Sequence, residues 1–292
     1  MSTPGTTAGG TAGQVVDTVR YPLHEPGGPA WRSVVERVRA ELAADGCSVL
    51  PDFVRPALQD RLRRQCASVA PAAHYRTETV NAYNIAVDDS LPPEHPARIP
   101  IQRGNAFVAR DQIPRDFVIH RLYTAEAFQR FVADCFRLPR LYPLADPLSG
   151  LCLNVVRPGT EHPWHFDTNE FTVSMLTQEA EGGGEFEYCP GIRSAERENL
   201  EVVRAVLTGE DTSPVRRLTL RPGDLQLFQG RYALHRVSPV EGETARHTAI
   251  LAYSERPDVV GSVERTRQLF GRVLPEHHAA AGRASRVDTL LD

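Results

Sequence analysis

Near residue 150 the apolar period of this chain changes. Before that point apolar residues recur at helical spacing, and after it they fall in short β-rich runs separated by Gly and Pro turns. The runs are LCLNVV (151–156), FTVSMLTQ (171–178), GEFEYC (184–189), VRRLTL (215–220), DLQLFQ (224–229), ALHRV (233–237) and HTAILAY (247–253). Strands spaced this closely point to a sandwich or jelly roll rather than alternating βαβ units. Helices first and strands later make the fold class α+β, with the helices buttressing one sheet.

The helical part has readable ends. Trp31, Val34, Val35, Val38 and Leu42 mark one face of a helix that Gly46 stops. After the extended segment CSVLPDFV, Pro56 opens a second helix through Leu58, Leu62 and Val69. A third, capped by Thr124, carries the stripe Phe128, Phe131, Val132, Cys135 and Phe136. Residues 73–120, rich in Pro, Asn and Asp, read as irregular with some strand. Within the strand region one helix is expected, capped by Ser194, carrying Leu200, Val203 and Leu207, and stopped near Gly209. The opening stretch MSTPGTTAGGTAGQ is too small and polar to order itself. The organisation expected is a flexible tail over 1–22 and a single domain over 23–292. That domain comprises a helical part (23–148), a jelly-roll core (about 149–256) and a C-terminal extension (257–292).

Composition narrows the function by exclusion. All 33 basic residues are arginine, and without lysine there is no P-loop GK[ST], no pyridoxal Schiff base and no amine nucleophile. GxGxxG and GxSxG motifs are also missing. The formal charge of −4 and the lack of a basic run argue against a nucleic-acid partner. No segment approaches the roughly 18–20 apolar residues of a membrane span, and no secretory signal opens the chain. The cysteines, Cys47, Cys66, Cys135, Cys152 and Cys189, lack C-x-x-C spacing and read as reduced core thiols. A soluble cytoplasmic protein is expected.

The chemistry concentrates in EHPWHFDTNEF. His165 and Asp167 are two apart, so in extended backbone they point the same way. The pair alone is weak evidence, but GRYALHRVSPV brings His235 from another expected strand. Two histidines and a carboxylate form a facial triad that leaves three coordination positions open, which suits ferrous iron. Zinc sites usually leave one. Arg246 follows His235 by eleven residues, and its guanidinium can hold a dicarboxylate through two parallel hydrogen bonds.

The order HFD, then HRVSPV 68 residues beyond Asp167, then a strand-borne arginine, resembles the iron(II) and 2-oxoglutarate-dependent oxygenase superfamily. RPGDLQLFQGRYALHRVSPV resembles that superfamily's distal half, and GCSVLPDFV with its following helix resembles its usual entry. The resemblance implies a double-stranded β-helix, with Fe(II) on His165, Asp167 and His235, 2-oxoglutarate pinned by Arg246 and O2 as oxidant; Asn154, on the first jelly-roll strand, is a further candidate 2-oxoglutarate contact. The histidine-to-arginine spacing exceeds the usual nine or ten by the extra residue in EGETAR. HFDTNEFTVSMLTQEAEGGGEFEYCPGIR further resembles the branch of free-amino-acid halogenases and their hydroxylase relatives. Halogenases of that branch carry glycine or alanine where this chain has Asp167. The implied reaction is therefore hydroxylation of a small amino acid with release of succinate and CO2. Desaturation, ring closure, hydroxylation of a protein side chain and a non-enzymatic metal-binding jelly roll stand as alternatives.

Other residues near the motif have weaker claims. His162, Trp164, Thr168 and Glu170 are the candidate substrate contacts. Glu161, Glu170, Glu185 and Glu187 would suit a basic amino acid if any faces the pocket, although alternation of Glu185 and Glu187 with Phe186 and Tyr188 also fits a half-exposed strand. Arg236 should point away from His235 and be exposed or salt-bridged. His277 and His278 read as a solvated tail.

Overall fold

The computed structural model describes residues 12–85, 87–169, 171–281 and 290–291. The first long helix, Pro29–Asp45, ends at Gly46 in the left-handed conformation (φ 64°), and the Gly46 N–H donates to Leu42 O. Such a cap disfavours any residue with a Cβ, and it turns the chain directly into the strand Cys47–Leu50. The helix Pro56–Val69 follows as its opening proline implies.

Seven strands form the larger sheet, each antiparallel to its neighbours. Their order is Cys47–Leu50, Leu225–Phe228, Thr172–Gln178, Arg246–Leu251, Leu151–Val156, Ile101–Val108 and His74–Val80. The four-strand sheet runs Arg216–Leu218, Phe186–Cys189, Leu234–Val237, His162–His165. Period-two alternation sorts the larger sheet's residues between its faces. Leu151, Leu153, Val173, Met175, Leu225, Leu227, Ala249 and Leu251 share one core with Trp31, Val38, Phe128 and Phe131 of the helices. The alternate residues Asn154, Ser174, Gln226, Thr248 and Ile250 line a cavity between the sheets. Phe186 and Tyr188 of the smaller sheet close against Phe228 of the larger one at ring distances of 5.2 and 5.8 Å. The result is a jelly roll whose N-terminal helices cover one face of the larger sheet, while Phe270 of the helix Val263–Phe270 packs on Phe107 and Cys152 of the other.

Several expectations need correction. Residues 73–120 hold two full strands, paired from His74↔Phe107 to Val80↔Ile101, which extend the larger sheet. Thr124 does not cap the third helix. Its hydroxyl donates to His120 O at the end of Val118–Tyr123, and Glu126–Cys135 starts after Ala125. Leu200–Thr208 is preceded by Asn199 in left-handed geometry, not by a Ser194 cap. In the expected 1–22 tail, residues 1–11 lie outside the described residues. From Ala12 on, however, the chain is packed: Ala12, Val15, Val16, Tyr21 and Leu23 are buried, and Val16 bridges Val54. His277 is no solvated tail residue, since it is fully buried with Nε2 3.2 Å from the equally buried Asp146. All five cysteines are free and buried. No helix among the described residues is long and apolar enough to cross a membrane.

Candidate metal centre

Register creates the site. His165 and His235 are direct cross-strand partners, a relation that sets Cβ atoms about 5 Å apart, and their ring centroids lie 4.1 Å from each other. Asp167 follows the first of these strands, and its N–H donates to Gly230 O at 3.1 Å, drawing it back toward the second. Asp167 Oδ1 is 3.7 Å from His165 Nε2 and 3.5 Å from His235 Nε2. One donor atom from each of the three residues lies within 4.8 Å of the other two.

The surrounding hydrogen bonds decide which atoms face inward. His165 Nδ1 is 2.8 Å from Pro163 O, and His235 Nδ1 is 2.9 Å from Ala233 O. A carbonyl only accepts, so each Nδ1 carries the proton and each Nε2 keeps its lone pair. Asp167 Oδ2 accepts from the Thr172 hydroxyl at 2.5 Å, which leaves Oδ1 beside the imidazoles. A Cβ at Gly230 would fall 2.0 Å from Oδ2, so the carboxylate position requires glycine there. Burial, then the neighbouring His235, lowers the His165 pKa and favours the neutral ring. Burial would raise Asp167, and the Thr172 hydroxyl opposes it by donating to Oδ2, which favours the ionised carboxylate. Neutral nitrogens and an ionised oxygen are the donor set a divalent transition metal needs.

Arg246 lies in the same cavity, almost wholly buried, and donates to the Thr248 hydroxyl. Burial, with no opposing charge nearby among the described residues, pulls its pKa down to about 10. A buried cation without a counter-ion is costly, so this geometry favours an anionic ligand. Asn154, opposite Thr248 in register, also lines the cavity. Ser174 and Gln226 join them through a 2.9 Å hydrogen bond, and with Thr172 and Gly230 they escaped the sequence reading. The signal for Ser174 and Gln226 was a polar residue at an inward position of an otherwise apolar strand.

The candidate substrate contacts divide. His162 lines the cavity and stacks on His165 at 4.1 Å with rings 4° from parallel. Burial, then His165, pushes its pKa well down. Trp164 points to the opposite face, where the Arg236 guanidinium covers its ring at 4.8 Å. Thr168 lies outside the cavity lining, and its carbonyl accepts from Arg231. Glu170 lies outside the described residues. Glu187 is neither half-exposed nor free for a substrate amine, being buried and bonded to Arg236 and Arg217 at 2.7 and 2.9 Å. Glu185 and Glu161 also face arginines, Arg217 at 3.2 Å and Arg236 at 3.8 Å.

A jelly roll that brings His165, Asp167 and His235 together beside a buried arginine has the fold of solved iron(II)/2-oxoglutarate-dependent oxygenases, and its donor set fits Fe(II). More narrowly, the Halogenase D family profile matches residues 31–270, and the chain belongs to that family. Among solved structures it is similar to SnoN, the non-haem α-ketoglutarate-dependent epimerase of nogalamycin biosynthesis. That match has 14% identity, covers 76% of this chain and 83% of the other, and has a TM-score of 0.50. SnoK, the carbocyclase of the same biosynthesis, is similar at 14% identity, with 78% and 87% covered and a TM-score of 0.50. AviO1 from Streptomyces viridochromogenes Tue57 is similar at 18% identity, with 75% and 94% covered and the same TM-score. These likenesses concern the fold. No curated protein matches the sequence.

Proposed function

We propose that this oxygenase hydroxylates a free amino acid and releases succinate and CO2, with Fe(II) held by His165, Asp167 and His235. Asp167 carries the reading. In a family described as halogenases, this chain has a carboxylate beside both imidazoles, where it would fill the coordination position that a halide requires. Bound iron, 2-oxoglutarate and O2 supply the oxidising chemistry. The protein's part is geometric: Pro163 and Ala233 carbonyls fix the imidazole tautomers, and Thr172 orients the carboxylate. Arg246 anchors the far carboxylate of 2-oxoglutarate, with Thr248 and Asn154 beside it. Phe186, Phe228, Val237 and Ile250 give the cavity apolar walls that exclude water. Substrate docks on the His162 side of the cavity, beside the ligand imidazoles.

The test is to incubate the protein with Fe(II), 2-oxoglutarate and O2 in high chloride, offer a panel of free amino acids, and measure succinate and product mass. Gain of one oxygen coupled to succinate is expected. A chlorinated product in substantial yield would remove Asp167 from the metal. Coupling to peptides alone would remove the free amino acid.

A further inference from the structure

We propose that Arg193 is a positioning residue for the metal centre, clamping the segment that carries His165 and Asp167 onto the segment that carries His235. The proposal rests on the ligand assignment above and extends it to a residue outside the cavity. Phe166 stands between the two ligands of the first segment. Because successive extended residues alternate, its ring points the other way, into a core with Tyr83, Ile192 and Leu234. The Arg193 guanidinium lies over that ring at 3.8 Å. The same side chain reaches the second segment through Nε, which donates to Arg231 O at 2.7 Å, while the Arg193 N–H donates to Tyr232 O at 3.3 Å. Gly230, adjoining Arg231, receives the Asp167 N–H. One fully buried residue thus touches both ligand-bearing segments behind the metal site.

Arg193 is itself held. Its Nη1 donates to Glu198 Oε2 at 3.1 Å and to Leu291 O at 3.0 Å, and the Leu291 N–H donates back to Glu198 at 2.5 Å. The guanidinium uses its face for Phe166, one edge for Arg231 and another for Glu198 and Leu291. Lysine offers a single point charge and no plane, so it cannot replace this set of contacts. Loss of the clamp leaves every ligand in the sequence but loosens the distance between the two segments. Residues that orient metal ligands from behind typically change metal affinity by about 10- to 100-fold when replaced.

Co(II) reports on this without turnover, because its ligand-field absorption reads both affinity and coordination geometry. Wild type, Arg193→Met, Arg193→Lys, Phe166→Leu and Arg193→Met/Phe166→Leu are titrated with Co(II) below the unfolding temperature of each metal-free protein. Arg193→Met should bind Co(II) about tenfold more weakly with an altered spectrum, and Arg193→Lys should stay closer to Met than to wild type. Adding Phe166→Leu should cost little more, since both changes break one contact. If Arg193→Met does not fold, Glu198→Gln carries the test with the same expected direction. The proposal is overturned if the variants lose thermal stability yet bind Co(II) within twofold of wild type with an unchanged spectrum. A wild type that binds no Co(II), or a His235→Ala that binds it equally well, instead overturns the ligand assignment and this proposal with it.

Discussion

The strand Leu234–Val237 treats buried charge in opposite ways on its two faces. Outward, Arg236 donates to Glu187 at 2.7 Å and covers Trp164, while Arg217 supplies the second cation to the same carboxylate. That network is answered within the protein. Inward, His235 and His165 commit one nitrogen each to a backbone carbonyl and turn the other toward the cavity, where Arg246 has no carboxylate among the described residues. Burial is similar on both faces, since His235 and Glu187 are 6% and 3% exposed. What separates scaffold from site on this strand is therefore completeness, because the polar side chains that converge on the cavity without protein partners are placed to take a ligand.

Substitutions of adjacent residues on the two faces test this contrast most severely. His235→Ala should abolish metal binding and succinate formation, whereas Arg236→Gln should retain both and lose only stability. Equal loss of metal affinity in the two variants would erase the distinction between the faces. Next in size is Arg246→Met, expected to raise the 2-oxoglutarate requirement by about 30-fold or more. Iron affinity should stay near wild type, and both follow from titrating succinate formation against each cofactor. An unchanged 2-oxoglutarate dependence would move the anchor to another arginine.

The outer network yields a smaller effect of another kind. Glu187→Gln leaves two guanidinium groups facing a neutral amide. Because Arg217 is largely exposed, the loss of stability is expected to be about 1–3 kcal/mol, not the full cost of breaking a buried pair. Urea unfolding of the metal-free protein measures that loss, and Co(II) titration should show no change in affinity. A weakened metal site would show that the outer charges reach through the strand.

What could be read in the sequence was local. Gly46 as a helix stop, Pro56 as a start and the two-residue spacing of His165 and Asp167 act over a few residues, and the structure keeps them. The pairings could not be read. His165 meets His235 through strand register, and His277 meets Asp146 across 131 positions, neither of which has a local signature. Glu187 looked half-exposed because alternation gives its face but not the arginines covering it. The strand His74–Val80 was read only as part of an irregular stretch with some strand, because it is an edge with mostly exposed polar side chains and its apolar alternation is faint. Gly230 gave no warning at all, since its need for a bare Cα arises from the Asp167 carboxylate 63 positions earlier.

The smallest expected effect contrasts the two faces of the larger sheet, where Arg246 turns to the cavity and His247 to the opposite side. His247 is 4% exposed, its Nδ1 has no hydrogen-bond partner among the described residues, and burial lowers its pKa to about 4. An unfolded histidine titrates near 6.5, so the unfolded chain takes the proton more readily. The contribution of the neutral ring is therefore complete above pH 6.5 and declines as pH falls toward 4. At pH 5.5 the expected decline is about 1 kcal/mol. His247→Gln removes this titration, and its unfolding free energy should fall by that much less than wild type between pH 7.5 and 5.5. Urea unfolding of metal-free protein keeps bound metal from masking the comparison, and the substitution leaves every other titratable group in place, so the difference isolates His247. Identical pH slopes would mean that His247 gains its proton in the fold as easily as in water. Histidine burial on this face would then carry no pH cost, and the contrast with the cavity face would rest on ligand binding alone.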